Sequence, residues 1–361
     1  MSTFTKGLPV LLGVAALAAC TEPTGPEQEV APPALAAAGL GTWTTKASIP
    51  TPRAYLAAAV VRNAAGHYVM YTIGGRNLGN IAMQRVEAYD ATTNTWTRKA
   101  LLPSKRAGTN GAGVIGGKIY VTGGFDLSGA PTKTLYVYNP ANDSWTRKAD
   151  LPVTSGGGVT GAIHGKLYVL TGKCRADFCT TAGRLYRYDP ATNQWTRKAD
   201  ALEDHTFGIG GVIDGKFYVA YGEQGDNVGS VDVYDPVTNR WKMKLRKAYE
   251  NLATPPLSAV ERGTVVDAAG AVLYGQLYLI GGRKSTEPMT KQEVPWVFAY
   301  DPVANAWTRK ADMASSRRGA VAGTAKTAPG PFRILVAGGA ERDPDPDVDP
   351  TFIAKTEAFT P

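Results

Sequence analysis

A tryptophan returns at nearly constant intervals along this chain, and that period constrains the fold more than any other feature. Trp43, Trp96, Trp145, Trp195, Trp241 and Trp307 lie 53, 49, 50, 46 and 66 residues apart, and four of them open the phrase Trp-Thr-Arg-Lys-Ala. Apolar segments close on glycine once per period, at Gly74-Gly75, Gly123-Gly124, Gly172, Gly222, Gly281-Gly282 and Gly338-Gly339. A third landmark is a tyrosine-ended segment before a turn: Tyr138-Asn139-Pro140, Tyr188-Asp189-Pro190, Tyr234-Asp235-Pro236 and Tyr300-Asp301-Pro302. Self-similarity on this scale means repeated supersecondary units, none of which buries its apolar face without a neighbour. The 41 glycines and 24 prolines suit many short strands joined by tight turns.

Each period divides into four strands. The first is built of glycine and alanine, as in Ala107 to Gly113, and small side chains belong where strands crowd a central axis. The second is apolar and ends on glycine, as in Lys118 to Gly124. The third alternates, as in Leu135 to Tyr138, and a turn with asparagine leads to the fourth, which starts at tryptophan. This Gly-Gly, Tyr-Asp-Pro, Asn-x-Trp series, running over residues 41–361, resembles the kelch family. The resemblance implies an all-β fold, a six-bladed β-propeller of four-stranded blades. The chain enters on a fourth strand, Trp43 to Lys46, and leaves on a third, Lys355 to Phe359, so the N-terminal strand is expected to complete the last blade and close the ring.

Residues 1–19 read as a secretory signal peptide: Lys6, the apolar run Leu8 to Leu17, then small residues. Leu17-Ala18-Ala19-Cys20 resembles the bacterial lipobox, which implies lipidation of Cys20 and a membrane attachment by lipid alone. Thr21 in place of aspartate implies outer-membrane sorting by the same resemblance. Residues 20–40, rich in proline, alanine and glutamate, read as a tether. In an exported protein Cys174 and Cys179 are expected to form a disulfide within one loop. The net charge of +8 leaves nucleic acid, anionic lipid and acidic glycan all compatible in sign, or simply a soluble monomer.

The fourth-to-first and second-to-third loops share one face, and sequence variety is concentrated there. At the starts of the innermost strands stand Arg53, Arg106, Arg262, Arg317 and Arg318, with Ser155 and His205 in the remaining repeats. Their convergence at the channel mouth would make a basic pocket for a carboxylate or sulfate, as kelch propellers often bind ligands at this mouth. The structural alternative is that these side chains bridge blades through loop carbonyls. Second-to-third loops add Arg76, Asn77, Phe125, Asp126, Lys173, Glu223 and Arg283 as an outer shell. A long connection around Ala248 to Ala259 is either a lid over the channel or a surface insertion.

Enzyme chemistry finds little support. Copper-dependent kelch oxidases need two histidines and two tyrosines at the metal, and His67 and His164 fall in turns on the face opposite His205. No phosphate loop, nucleophile signature or histidine cluster appears. Sialic-acid mutarotases share the six-bladed architecture, and Glu223 with Arg262 or Arg283 would be compatible with acid–base chemistry by analogy alone. The expectation is therefore a lipid-anchored, monomeric binding module for a protein or an acidic glycan, with no cofactor, metal or nucleic acid. A carbohydrate-active enzyme and a structural envelope protein are the alternatives.

Overall fold

The computed structural model describes residues 39–173, 182–222, 230–245, 264–286, 290–326, 330–341 and 351–361. Among these, every regular element is a strand, and six antiparallel sheets hold four strands each. In blade one the order is Ala57–Arg62, Tyr68–Ile73, Val86–Asp90 and Thr95–Arg98, each pairing with the next. Blades two to five begin at Ala112–Ile115, Val159–Ile163, Ile209–Ile213 and Ala269–Leu273 and repeat that order. Blade six takes Val321–Lys326, Phe332–Ala337 and Thr356–Thr360 from the C-terminal part, and its fourth strand is Thr42–Lys46. Trp43 stands opposite Phe359 in that pairing, so the expected closure by the N-terminal strand is present. Each blade's first strand contacts those of the two neighbouring blades, round a closed cycle.

Close approach explains the small residues of the innermost strands. A Cβ on Gly113 would lie 2.4 Å from the Leu167 side chain of blade three, and one on Gly211 would lie 2.3 Å from Val272 of blade five. Second strands supply the filling: Ile119 to Thr122, Leu167 to Leu170 and Phe217 to Ala220 are buried without a break. Facing blades meet through aromatic pairs, Tyr71–Tyr138, Tyr120–Tyr188, Tyr168–Tyr234, Tyr218–Tyr300 and Tyr278–Phe359, with centroids 5.5 to 6.4 Å apart. Such pairs contribute about 0.5–1.5 kcal/mol each beyond the area they bury.

The Asn-x-Trp phrase is a latch between blades. Asn193 sits at φ 56° in its turn, accepts the Tyr188 hydroxyl at 2.7 Å, and accepts the Ala149 N–H of the preceding blade at 3.0 Å. Trp195 then donates its indole N–H to the Ala149 carbonyl at 2.8 Å. The same three bonds recur around Asn94, Tyr89, Ala47 and Trp96, and around Asn239, Tyr234, Ala199 and Trp241. In blade two the asparagine is replaced by Asp143, which accepts from Tyr138 at 2.5 Å and from the Ala100 N–H at 2.8 Å. Burial pushes the Asp143 carboxyl up, but these two bonds and the nearby Lys99 charge outweigh it and hold the pKa below the ordinary carboxylate value. A depressed carboxylate contributes stability that is present above its unfolded pKa and lost as pH falls through the folded one. Asp143→Asn restores the latch of the other blades without a charge. Its melting temperature is expected to fall less than wild type's between pH 7 and pH 3, measured by circular dichroism, and an identical loss in both proteins would refute the account.

An accessory sheet rises from the loop face of blade five, where Thr264–Val266, Arg283–Thr286 and Thr290–Glu293 pair. Among the described residues no helix is long and apolar enough to cross a membrane.

Candidate functional site at the channel mouth

At the loop face the channel is rimmed by a closed hoop of backbone hydrogen bonds, one residue from each blade. Tyr55 N–H donates to Gly319 O at 2.7 Å, Gly108 to Tyr55 at 2.8 Å, Gly157 to Gly108 at 2.8 Å and Phe207 to Gly157 at 2.7 Å. Asp267 donates to Phe207 at 3.1 Å and Gly319 to Asp267 at 2.7 Å, which completes the circle. All six residues have a left-handed backbone, with φ between 52° and 68°. Below the hoop lies a channel cavity of about 200 Å³ walled by the glycine- and alanine-rich strands. Over the hoop lies a second cavity of about 170 Å³, lined by Tyr55, Arg76, Gly108, Phe125, Phe207, Asp267 and Arg283.

This upper cavity has two unlike walls. Phe125 and Phe207 stack at 27° with centroids 6.3 Å apart. Opposite them Arg283 Nη2 lies 3.4 Å from Asp267 Oδ2, and the Tyr55 hydroxyl donates to the same oxygen at 3.4 Å. Burial and then the Asp267 charge push the Tyr55 phenol up to about 12, against the opposing influence of Arg318, Arg283 and Arg76, so it remains a hydrogen-bond donor at neutral pH. Arg76 is half-buried and hydrogen-bonds the neutral Asn80 carboxamide at 2.9 Å. The wall therefore presents two guanidinium groups and one carboxylate, a combination suited to an anion that also carries hydroxyls.

The residues expected at the starts of the innermost strands occupy a different layer. Arg53 is fully buried inside blade one, where it forms an ion pair with the equally buried Glu87 of the third strand and donates to Gly74 O at 2.8 Å and Thr72 Oγ1 at 2.9 Å. Arg317 does the same in blade six, paired with Glu357. Ser155 donates to Asn110 Oδ1 at 2.8 Å and accepts the Gly172 N–H at 3.0 Å. Both ring nitrogens of His205 face oxygen atoms, Nδ1 the Tyr221 carbonyl at 2.9 Å and Nε2 the Asp232 carboxylate at 3.1 Å. Arg106 donates to the Lys105 carbonyl at 2.7 Å and reaches Thr134 Oγ1 at 3.4 Å. These five precede the hoop by two residues; Arg53, Arg106, His205 and Arg317 bond within their own blades, and Ser155 reaches Asn110 of blade two. Arg318 pairs with Glu293 of the accessory sheet at 2.5 Å.

Of the expected set, the cavity brings together Arg76 and Arg283, with Phe125 from the outer shell. Sequence reasoning passed over Tyr55, Phe207 and Asp267. The available signal was positional, since each stands two residues after the repeat position of Arg53, where other repeats carry Gly108, Gly157 and Gly319. Cys20, Cys174, Cys179, Glu223, Arg262 and the connection around Ala248 to Ala259 lie outside the described residues. Among the described residues no group of three or more His, Cys, Asp or Glu is placed to hold a metal ion.

A family model described as the KLHDC2/KLHL20/DRC7 Kelch-repeats domain matches residues 40–204, and the Kelch motif model matches residues 210–243 and 265–314. The chain is built of kelch repeats. The kelch phrases fall where the latches and blade cores need them. A solved structure titled "Structure of YjhT" matches with a TM-score of 0.64 at 17% identity, covering 86% of this chain and 95% of that one, and at that identity it shows the shared propeller fold alone. No curated protein sequence matches the chain.

Proposed function

We propose that this kelch propeller is a binding module that captures an acidic carbohydrate at the channel mouth. The observation that carries the reading is the cavity over the hoop, where Arg76 and Arg283 stand across from the stacked Phe125 and Phe207 rings. Guanidinium forks match carboxylates, and aromatic faces accept the apolar face of a ring. At about 170 Å³ the space is smaller than the roughly 300–1,000 Å³ of clefts for drug-sized ligands, which suits a single ring. The signal-like residues 1–19, Cys20 and the proline-rich stretch to residue 40 support export and a lipid anchor in the outer membrane, with the propeller held off the surface as a monomer. No cofactor enters this function.

Calorimetry and thermal shift of the full chain with glucuronate, galacturonate and N-acetylneuraminate, against neutral glucose, test the reading. The acids are expected to bind and to stabilise the fold, more weakly at high salt, while glucose does neither. Equal binding of glucose would remove the role given to the arginines. No response to any sugar would overturn the carbohydrate reading and leave the protein-partner alternative, to be pursued by pull-down.

A further inference from the structure

The fold asks one thing of every hoop residue, a left-handed backbone. Glycine meets that demand freely at Gly108, Gly157 and Gly319, with φ of 52°, 68° and 60°. The other three positions hold Tyr55, Phe207 and Asp267, each at φ 58°. Aspartate enters this region several-fold more readily than most residues, but for a bulky aromatic it is a genuine outlier, because Cβ crowds the following carbonyl. Glycine demonstrably closes the hoop in three blades, so closure does not account for the aromatic residues in the other two.

Tyr221 supplies the contrast. It too sits at φ 58°, but it is buried, and its ring packs edge-on against Trp307 with centroids 5.4 Å apart. Core packing offsets its strain. The rings of Tyr55 and Phe207 are half-buried and wall the mouth cavity instead. Each lies over the hoop glycine of the neighbouring blade: a Cβ on Gly157 would be 2.5 Å from the Phe207 ring, and one on Gly319 would be 3.2 Å from the Tyr55 ring.

Strain kept where side chains meet an open cavity points to use of those side chains. We infer that Tyr55, Phe207 and Asp267 are the specificity-determining contacts of the mouth, an inference that rests on its reading as an acidic-sugar site. The two walls set the orientation. The apolar face of the sugar ring lies on Phe207 and Phe125, its anion meets Arg76 and Arg283, and its hydroxyls are read by Tyr55 and Asp267. Recognition is then by stereochemistry of the hydroxyls as well as by charge, because a fixed carboxylate accepts a hydroxyl only from the correct side.

The test uses the full chain as wild type, Phe207→Gly, Phe207→Ala and Asp267→Asn. Melting without ligand and affinity for glucuronate, galacturonate and N-acetylneuraminate are measured on each. Both Phe207 variants are expected to lose about tenfold or more in affinity. Phe207→Gly is expected to melt about 2 °C or more above Phe207→Ala, because only glycine relieves the backbone. Asp267→Asn is expected to change the ranking of the three acids. Wild-type affinity in the Phe207 variants would overturn the inference, as would Phe207→Ala melting at or above Phe207→Gly. An unchanged ranking in Asp267→Asn would overturn its part for Asp267. If wild type binds none of the acids, the reading of the mouth itself falls and the inference with it, an outcome the variants do not enter and which is therefore distinguishable.

Discussion

Replacing Arg53 with alanine is expected to cost about 3–5 kcal/mol of stability, because it strands a carboxylate inside blade one. Glu87 is as fully buried as Arg53, and Thr51 Oγ1, which donates to it at 2.8 Å, cannot replace a guanidinium. The loss has two parts, the unpaired Glu87 charge and the orphaned acceptors Gly74 O and Thr72 Oγ1. Glu87→Gln is expected to be nearly as severe, since it leaves the cation buried. The double change Arg53→Met with Glu87→Leu removes both charges and is expected to recover most of the stability. Urea unfolding of the four proteins measures this, and a cost below about 1 kcal/mol for Arg53→Ala would show that the blade tolerates an unpaired charge. Below its melting temperature Arg53→Ala should bind acidic sugars as wild type does, because the side chain faces into the blade. Loss of binding with a native melting curve would place Arg53 at the ligand.

The opposite pattern is expected at the mouth. Arg76→Ala and Arg283→Ala should each weaken binding of a carboxylate sugar by about 10- to 100-fold, corresponding to about 1.5–3 kcal/mol for a hydrogen bond to a charged group. The melting temperature of Arg76→Ala should move far less than that of Arg53→Ala. Arg283→Ala also removes the guanidinium beside the buried Asp267 carboxylate and should lower melting as well. Arg76 is half-exposed, and its one described side-chain partner is the exposed Asn80. Arg76→Lys keeps the charge and loses the planar fork, so intermediate affinity is expected. Isothermal titration with glucuronate at two salt concentrations checks all three. Undiminished binding in Arg76→Ala together with Arg283→Ala would sink the anion site. Arg53 and Arg76 thus separate by experiment, one by stability and one by affinity.

Much of the architecture was legible before any coordinates. The tryptophans marked the fourth strands, the glycines closed the second strands, and the start of the repeats on a fourth strand at Trp43 announced that the ring would be completed by its first strand. The latch around Asn193 explains why: a left-handed turn, a buried phenol and an indole need fixed residue types at fixed spacing, so the geometry writes itself into the sequence. Arg76 and Arg283 were also visible, as cations in second-to-third loops. Phe125 was visible beside them.

The direction of the other side chains was not. Arg53 and Tyr55 are two residues apart near the start of one strand, and sequence alone points to the arginine as the ligand-facing member. In the fold the arginine turns into its blade to meet Glu87, and the tyrosine, carried by a left-handed backbone, turns over the channel. Glu87 is 34 residues away from Arg53, and the hoop partner of Tyr55, Gly319, lies at the far end of the chain. Local pattern and spacing determined the repeat, the strands and the closure, since those depend on contacts within a blade or with the next one. Which polar groups face the ligand and which are consumed inside the fold was decided only in three dimensions, because Arg53 finds its counter-charge two strands away in its own blade and Tyr55 is held by a hoop that takes one residue from each of the six.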